Sequence, residues 1–166
     1  MADHARASIV INAKPATVMA TIADIANYPT WVGQMEQTEV LEVGPEGRPS
    51  RARFRVNAGI AKDEFVTDYS WFGDEKVTWT LVEGQAMSAQ DGSYTLRDLG
   101  ESRTEVTYDL TVELKIKIPG LLRRKVQGGI VDAALKDLKR HVEASPALGA
   151  GAYPEKFSNL EKNVES

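Results

Sequence analysis

From Thr104 to Ile118 apolar and polar positions alternate with a period of two. Thr104, Val106, Tyr108, Leu110, Val112, Leu114, Ile116 and Ile118 share one face, and Glu105, Thr107, Asp109, Thr111, Glu113, Lys115 and Lys117 share the other. This pattern predicts a long half-buried antiparallel strand. At Pro119-Gly120 the period changes to 3.6, which predicts a helix from Leu121 to Ala144 with Leu122, Val126, Gly129, Ile130, Ala133, Asp137, Leu138 and Val142 along its apolar stripe. The middle of this helix is small, with Gly128, Gly129, Ala133 and Ala134. A helix that covers a sheet but carries glycine and alanine at its centre leaves space, so a cavity is expected there, bordered by Val126, Gly129, Ile130 and Ala133.

Upstream, Ala7, Ile9, Ile11 and Ala13 alternate with Ser8, Val10 and Asn12 and predict a first strand of mixed burial that ends at Lys14-Pro15. Pro15 suits the first turn of a short helix through Ala16–Ala23. Asp24 is positioned to cap a second short helix, Ile25-Ala26-Asn27, which Tyr28-Pro29 should break because a residue before proline avoids the helical region. After Trp31 come runs separated by turn signals: Thr38–Val43, Arg51–Val56, Lys62–Phe72, Lys76–Val82 and Ser88–Leu96, then the long strand. Short connections make sequential strands antiparallel neighbours. The order is strand, two short helices, about six strands and a long helix, an α+β arrangement. Pro146 ends the pattern, and the breaker-rich segment after it predicts a domain over residues 1–145 followed by a flexible tail, 146–166.

Composition narrows the function classes. At 166 residues the chain fits one domain, and its net charge of -4 gives no general basic excess for binding DNA or RNA. The absence of cysteine removes disulfides, thiolate nucleophiles and thiolate metal sites. His4 and His141 are far apart in sequence, no Gly-x-Ser-x-Gly elbow occurs, and the glycines match neither phosphate-loop nor dinucleotide patterns. No metal and no cofactor is therefore expected. Without a signal-peptide pattern or an apolar run near 20 residues, a cytoplasmic location is the expectation.

The element order, with Asp24-Ile25-Ala26-Asn27-Tyr28-Pro29-Thr30-Trp31 near its start, resembles the START-like (SRPBCC) superfamily, and in particular its polyketide cyclase/dehydrase and coenzyme-Q-binding branch. Ile118-Pro119-Gly120-Leu121-Leu122 before the last helix, and Gly92-Ser93-Tyr94-Thr95-Leu96 before Arg103-Thr104-Glu105-Val106-Thr107, are similar to that branch as well. The similarity spans about residues 4–145. It implies a helix-grip fold, in which a curved antiparallel sheet of about seven strands wraps a long C-terminal helix, with a cavity between them opening near the short helices and strand loops.

Alternation selects the side chains that face this space. From the strands they are Phe54, Phe65, Thr67, Tyr69, Trp71, Trp79, Tyr94 and Tyr108, and from the helix Val126, Gly129, Ile130 and Ala133. Such rings are also ordinary core material, but several phenols and indoles on one face suit an apolar pocket with a few polar contacts. Asp63 shares the register of Phe65, Thr67 and Tyr69, and Asp91 has an ambiguous face before Gly92. Either carboxylate, if turned inward, is a candidate general acid or base, and if turned outward is a solvated strand-end residue. Asp137 is expected on the solvated shoulder of the helix. Lys115, Lys117, Arg123, Arg124 and Lys125 cluster around Ile116, Ile118, Leu121 and Leu122, which reads either as a solvated face or as a surface for an anionic membrane or an acyl-carrier protein.

Three functions follow. The first is binding of a hydrophobic small molecule (lipid-, quinone- or polyketide-like) by a monomer or weak homodimer. The resemblance implies two others: a polyketide cyclase/dehydrase in which Tyr69, Tyr94, Tyr108 and Asp63 serve acid–base chemistry on a bound poly-β-ketone, and an interaction protein akin to the ribosome-associating toxins of the superfamily.

Overall fold

Strand β1 (Asp3–Ile11) leads through a turn into α1 (Pro15–Ala23) and a 3-10 helix (Ile25–Thr30). A meander follows: β2 (Met35–Val43), β3 (Pro49–Ala58), β4 (Ala61–Phe72), β5 (Lys76–Gly84), β6 (Met87–Gly100) and β7 (Arg103–Leu114), and then the long helix α2 (Gly120–Glu143). The structure, a computed structural model, describes residues 3–58 and 61–144. The expected tail, 146–166, lies outside them. The seven strands form one curved antiparallel sheet in the order β1-β7-β6-β5-β4-β3-β2. Only β1 departs from sequential neighbours, closing against β7 with Ile9 opposite Val106 and Ala5 opposite Leu110.

Two local expectations are corrected. The long strand stops at Leu114 instead of Ile118: its ladder with β6 ends with Leu114 opposite Met87, the first residue of β6, and one further backbone bond, Lys115 N to Ala86 O at 2.9 Å. Alternation continues in the sequence, but a backbone with no neighbour to bond leaves the sheet. The short helix after α1 is not broken by Tyr28-Pro29. It is a 3-10 turn that runs through Pro29, fastened by the Tyr28 hydroxyl on Ile22 O and by Thr30 Oγ1 on Asn27 O at 2.7 Å. Asp24 does not cap it with its side chain; Asp24 Oδ2 instead accepts from Asn27 Nδ2 at 2.6 Å.

The helix face is also displaced from the expected stripe. Gln127, Val131, Leu135, Leu138 and Val142 are the buried positions of α2, packed chiefly toward β1. Leu138 and Val142 belong to the expected stripe, but its other members, Leu122, Val126, Gly129, Ile130, Ala133 and Asp137, are centred roughly 150° away around the helix. The apolar pattern misses this face because a polar residue stands in it: Gln127 Nε2 donates to Asp3 O at 2.8 Å and to Leu110 O at 2.9 Å. With its hydrogen bonds made, that amide is buried at little cost.

The buried residues form two clusters. One joins α1 and α2 to β1 and the β5–β7 part of the sheet, through Ile11, Val18, Met19, Val106, Val131 and Leu138. The other sits under the 3-10 helix and comprises Ile25, Ala52 and Phe54. Neither covers the whole concave face.

Candidate ligand cavity

Between these clusters lies a cavity of about 250 Å³. Its deep wall is aromatic. Trp79 on β5 is within 5.5–5.8 Å, ring centre to ring centre, of Tyr69, Tyr94 and Tyr108 on the neighbouring strands and β7, and Tyr94 and Tyr108 are 4.6 Å apart. Strand alternation turns all four inward, and their tilted geometry is the one ring quadrupoles favour. A second row, Phe65 against Phe54 at 5.4 Å and Phe54 against Tyr28 at 6.3 Å, forms the wall toward the 3-10 helix. The roof is the flank of α2 next to its buried stripe: Val126, Gln127, Ile130 and Ala134. Ala86, Met87, Leu114, Ile116 and Ile118 line the end where β7 passes into α2.

The polar groups on the wall are few and mostly committed. Trp79 Nε1 donates to Gln90 Oε1 at 2.8 Å, and Gln90 Nε2 reaches Met87 Sδ at 3.2 Å. Asp3 forms an ion pair with Arg123, whose Nη1 also donates to Ile118 O at 2.8 Å. Burial pushes the phenols of Tyr28, Tyr69, Tyr94 and Tyr108 above their ordinary range. They therefore stay protonated at ordinary pH and act as neutral hydrogen-bonding groups. Asp63 is buried at the opposite end of β4. Its Oδ1 accepts from the backbone amides of Gln85 and Ala86 at 3.0 and 2.9 Å, while Oδ2 is buried with no protein donor. Trp31 Nε1 is likewise buried without an acceptor, its ring stacked 5.1 Å from His141.

Of the side chains selected from the sequence, Phe54, Phe65, Tyr69, Trp79, Tyr94, Tyr108, Val126 and Ile130 line this cavity. Four do not. Thr67 is on the same face of β4 but is fully buried between the larger Phe65 and Tyr69, too short to reach past them. Trp71 lies one pair further along that face, with Nε1 donating to Pro49 O at 2.6 Å and Arg48 over its ring. Gly129 and Ala133 lie on the outer side of α2, and a Cβ at either Gly128 or Gly129 would meet open space. The small residue that borders the void is Ala134. The two carboxylates separate as well: Asp63 is on the cavity wall, whereas Asp91 is exposed on the outer face of the sheet. Asp137 is no free shoulder residue, since its Oδ2 accepts from Gly33 N at 3.1 Å and its Oδ1 pairs with Arg140.

Tyr28, Trp31, Gln90, Gln127 and Met87 also stand on the wall, and alternation does not select them. Tyr28 and Trp31 belong to the Tyr-Pro-x-Trp segment, so the motif carried a signal; the glutamines gave none, because an isolated Gln reads as surface. Among the described residues there is no cluster of three or more histidine and acidic groups able to hold a metal ion, and no helix is long and apolar enough to cross a membrane.

A family profile described as polyketide cyclase / dehydrase and lipid transport matches residues 11–139. No protein of curated function matches the chain by sequence. Solved structures do. A START superfamily protein from Mycobacterium smegmatis is 24% identical with a TM-score of 0.79, covering 85% of this chain and 97% of its own. A protein from Thermus thermophilus is 26% identical with a TM-score of 0.75, covering 86% and 98%. The Zhui aromatase/cyclase from a Streptomyces species is 15% identical with a TM-score of 0.75, covering 92% and 99%. These likenesses agree with the helix-grip fold expected from the element order.

Proposed function

As the chain belongs to the polyketide cyclase/dehydrase and lipid transport family, we propose that it binds a compact, flat hydrophobic molecule, polyketide-, quinone- or lipid-like, in the cavity between sheet and α2. The carrying observation is the aromatic void of about 250 Å³. That is larger than the roughly 150 Å³ apolar cavity that accepts benzene and a little below the range of about 300–1,000 Å³ usual for drug-sized ligands. Two or three fused rings suit it better than an extended chain. Burial of apolar surface supplies the affinity, at about 25 cal/mol per Å². Trp31 and Trp79 both line the cavity, so occupancy should change intrinsic fluorescence. Titration with naphthalene, together with native mass spectrometry of the protein from its source cell, tests the reading. Unchanged fluorescence and no copurified molecule would overturn it.

Binding is favoured over cyclisation by the spacing of the acid–base groups. The tyrosines cluster, but Asp63 is six residues from Tyr69 along β4, about 20 Å of extended strand. Asp3, the other carboxylate on the wall, is held by Arg123. Neutral phenols can orient a carbonyl, and Asp137, the carboxylate whose charge reaches Tyr94, is off the cavity wall and engaged by Gly33 N and Arg140.

The same reading supplies a point of entry. Ile116, Leu121 and Leu122 are exposed (58%, 77% and 42%) where β7 passes into α2, and Ile116 also lines the cavity. Lys117, Arg124 and Lys125 are exposed beside them. An apolar lip framed by cations on a net acidic protein suits shallow contact with an anionic bilayer from which the ligand is collected.

A further inference from the structure

We infer that Tyr94 and Tyr108 form a paired donor that fixes one acceptor oxygen of the ligand, so the molecule bound carries a ketone or quinone carbonyl and is held by it against the aromatic wall. This rests on the cavity-binding reading and adds the group by which the cavity orients its ligand. Three observations carry it. Tyr94 on β6 and Tyr108 on β7 are direct cross-strand partners on the concave face, with ring centres 4.6 Å apart. Side chains so paired leave the sheet side by side, and both hydroxyl ends project into the cavity that the two residues line. Neither hydroxyl has a hydrogen-bond partner among the described residues. Both oxygens are also open: the side-chain polar atoms sealed without a partner, among the described residues, are Trp31 Nε1, Asp63 Oδ2 and Thr67 Oγ1, and the two phenol oxygens are not among them.

Burial keeps both phenols protonated, so each offers an O–H to the void. Two other donors on the cavity wall are already spent, Trp79 Nε1 on Gln90 Oε1 and the Tyr28 hydroxyl on Ile22 O. A carbonyl oxygen has two lone pairs, and one placed between adjacent hydroxyls accepts from both. A ligand hydroxyl at that point would still need an acceptor for its own proton, and Trp79, which packs against both rings, offers none. A pure hydrocarbon would strip the two hydroxyls of water and leave them unmatched.

The test compares 1-tetralone with tetralin, the same two-ring skeleton without the carbonyl oxygen, on the full chain. Water holds the ketone better than the hydrocarbon, so an apolar cavity alone would bind tetralin more tightly. With the donor pair, wild type should bind 1-tetralone at least as tightly as tetralin. In the double variant Tyr94→Phe, Tyr108→Phe the affinity for 1-tetralone should fall about tenfold or more relative to that for tetralin, and each single variant should show part of that loss. Tetralin should bind the double variant as well as wild type or better. An unchanged ratio of the two affinities in the double variant would overturn the assignment. A wild type that prefers tetralin by about tenfold or more would do the same, and needs no variant. Loss of both ligands together in the double variant would reduce the pair to packing and overturn it too. Failure of both on wild type would overturn the cavity reading and the donor pair with it.

Discussion

The indole of Trp79 lies over Gly92, its partner across β5 and β6, so closely that a Cβ at position 92 would overlap Cε2, Cζ2 and Nε1 of the ring. The absence of a side chain on β6 thus makes room for the ring at the centre of the aromatic wall, and lets Trp79 Nε1 reach Gln90. Gly92→Ala should displace the indole, cost about 1–3 kcal/mol by overpacking and weaken naphthalene binding. Thermal unfolding and near-ultraviolet circular dichroism, which reports the order of the rings, would measure both effects. A variant with unchanged spectrum and stability would contradict this account of the wall.

The corrected face of α2 separates two neighbouring alanines. Ala134 borders the cavity and Ala133 does not. Ala134→Leu should fill part of the void and reduce naphthalene affinity more than tenfold, with stability changed by less than about 1 kcal/mol because the added atoms enter space instead of a packed core. Ala133→Leu should leave affinity as it was. The reverse ranking would restore the face expected from the apolar stripe.

Arg123 and Arg124 are adjacent in sequence and opposite in consequence. Arg123 pairs with Asp3, whose side chain is 7% exposed, so Arg123→Gln strands a buried carboxylate and should destabilise the fold by about 3 kcal/mol in chemical denaturation. Arg124 and Lys125 are exposed. Replacing both with Gln should leave stability within about 0.5 kcal/mol and weaken cosedimentation with anionic vesicles at low salt. Vesicle binding that is insensitive to these two changes would remove the proposed docking lip.

Burial against Trp31 lowers the pKa of His141, an effect that Asp24 only partly offsets. The folded protein therefore binds fewer protons at this site than the unfolded chain, and stability must rise with pH across the interval between the two values. The contribution is complete above the ordinary histidine value of 6.5 and is lost as pH falls from there through the lowered folded value. His141→Phe keeps a ring on Trp31 but cannot titrate, so the gap in stability between wild type and variant should change in that interval in favour of the variant on acidification. Parallel stability curves for the two proteins from pH 7 down to pH 5 would refute it.

Legibility of the site followed the periodicity of each element. On β3–β7 the two-residue alternation is unambiguous once one inward residue is known, so it places Phe54, Phe65, Tyr69, Trp79, Tyr94 and Tyr108 on the correct face. Thr67 and Trp71 share that face and still do not border the void, since depth and reach along a strand are not written in a period of two. On α2 the stripe was misplaced because helical periodicity tolerates a rotation that the small and polar residues of this segment do little to oppose. Gln127 looks like a surface residue until Asp3 O and Leu110 O are seen beside it.

The order of elements, the antiparallel meander, the long terminal helix and the inward rows of rings were determined by the sequence itself, through local period and turn chemistry. Tertiary structure alone decided where the strand after Arg103 ends, which flank of α2 roofs the cavity, and that Asp63 is buried while Asp91 is exposed. Those outcomes depend on partners distant in the chain: a strand persists only beside a neighbour that bonds it, and a polar side chain enters the interior only where another segment meets its hydrogen bonds.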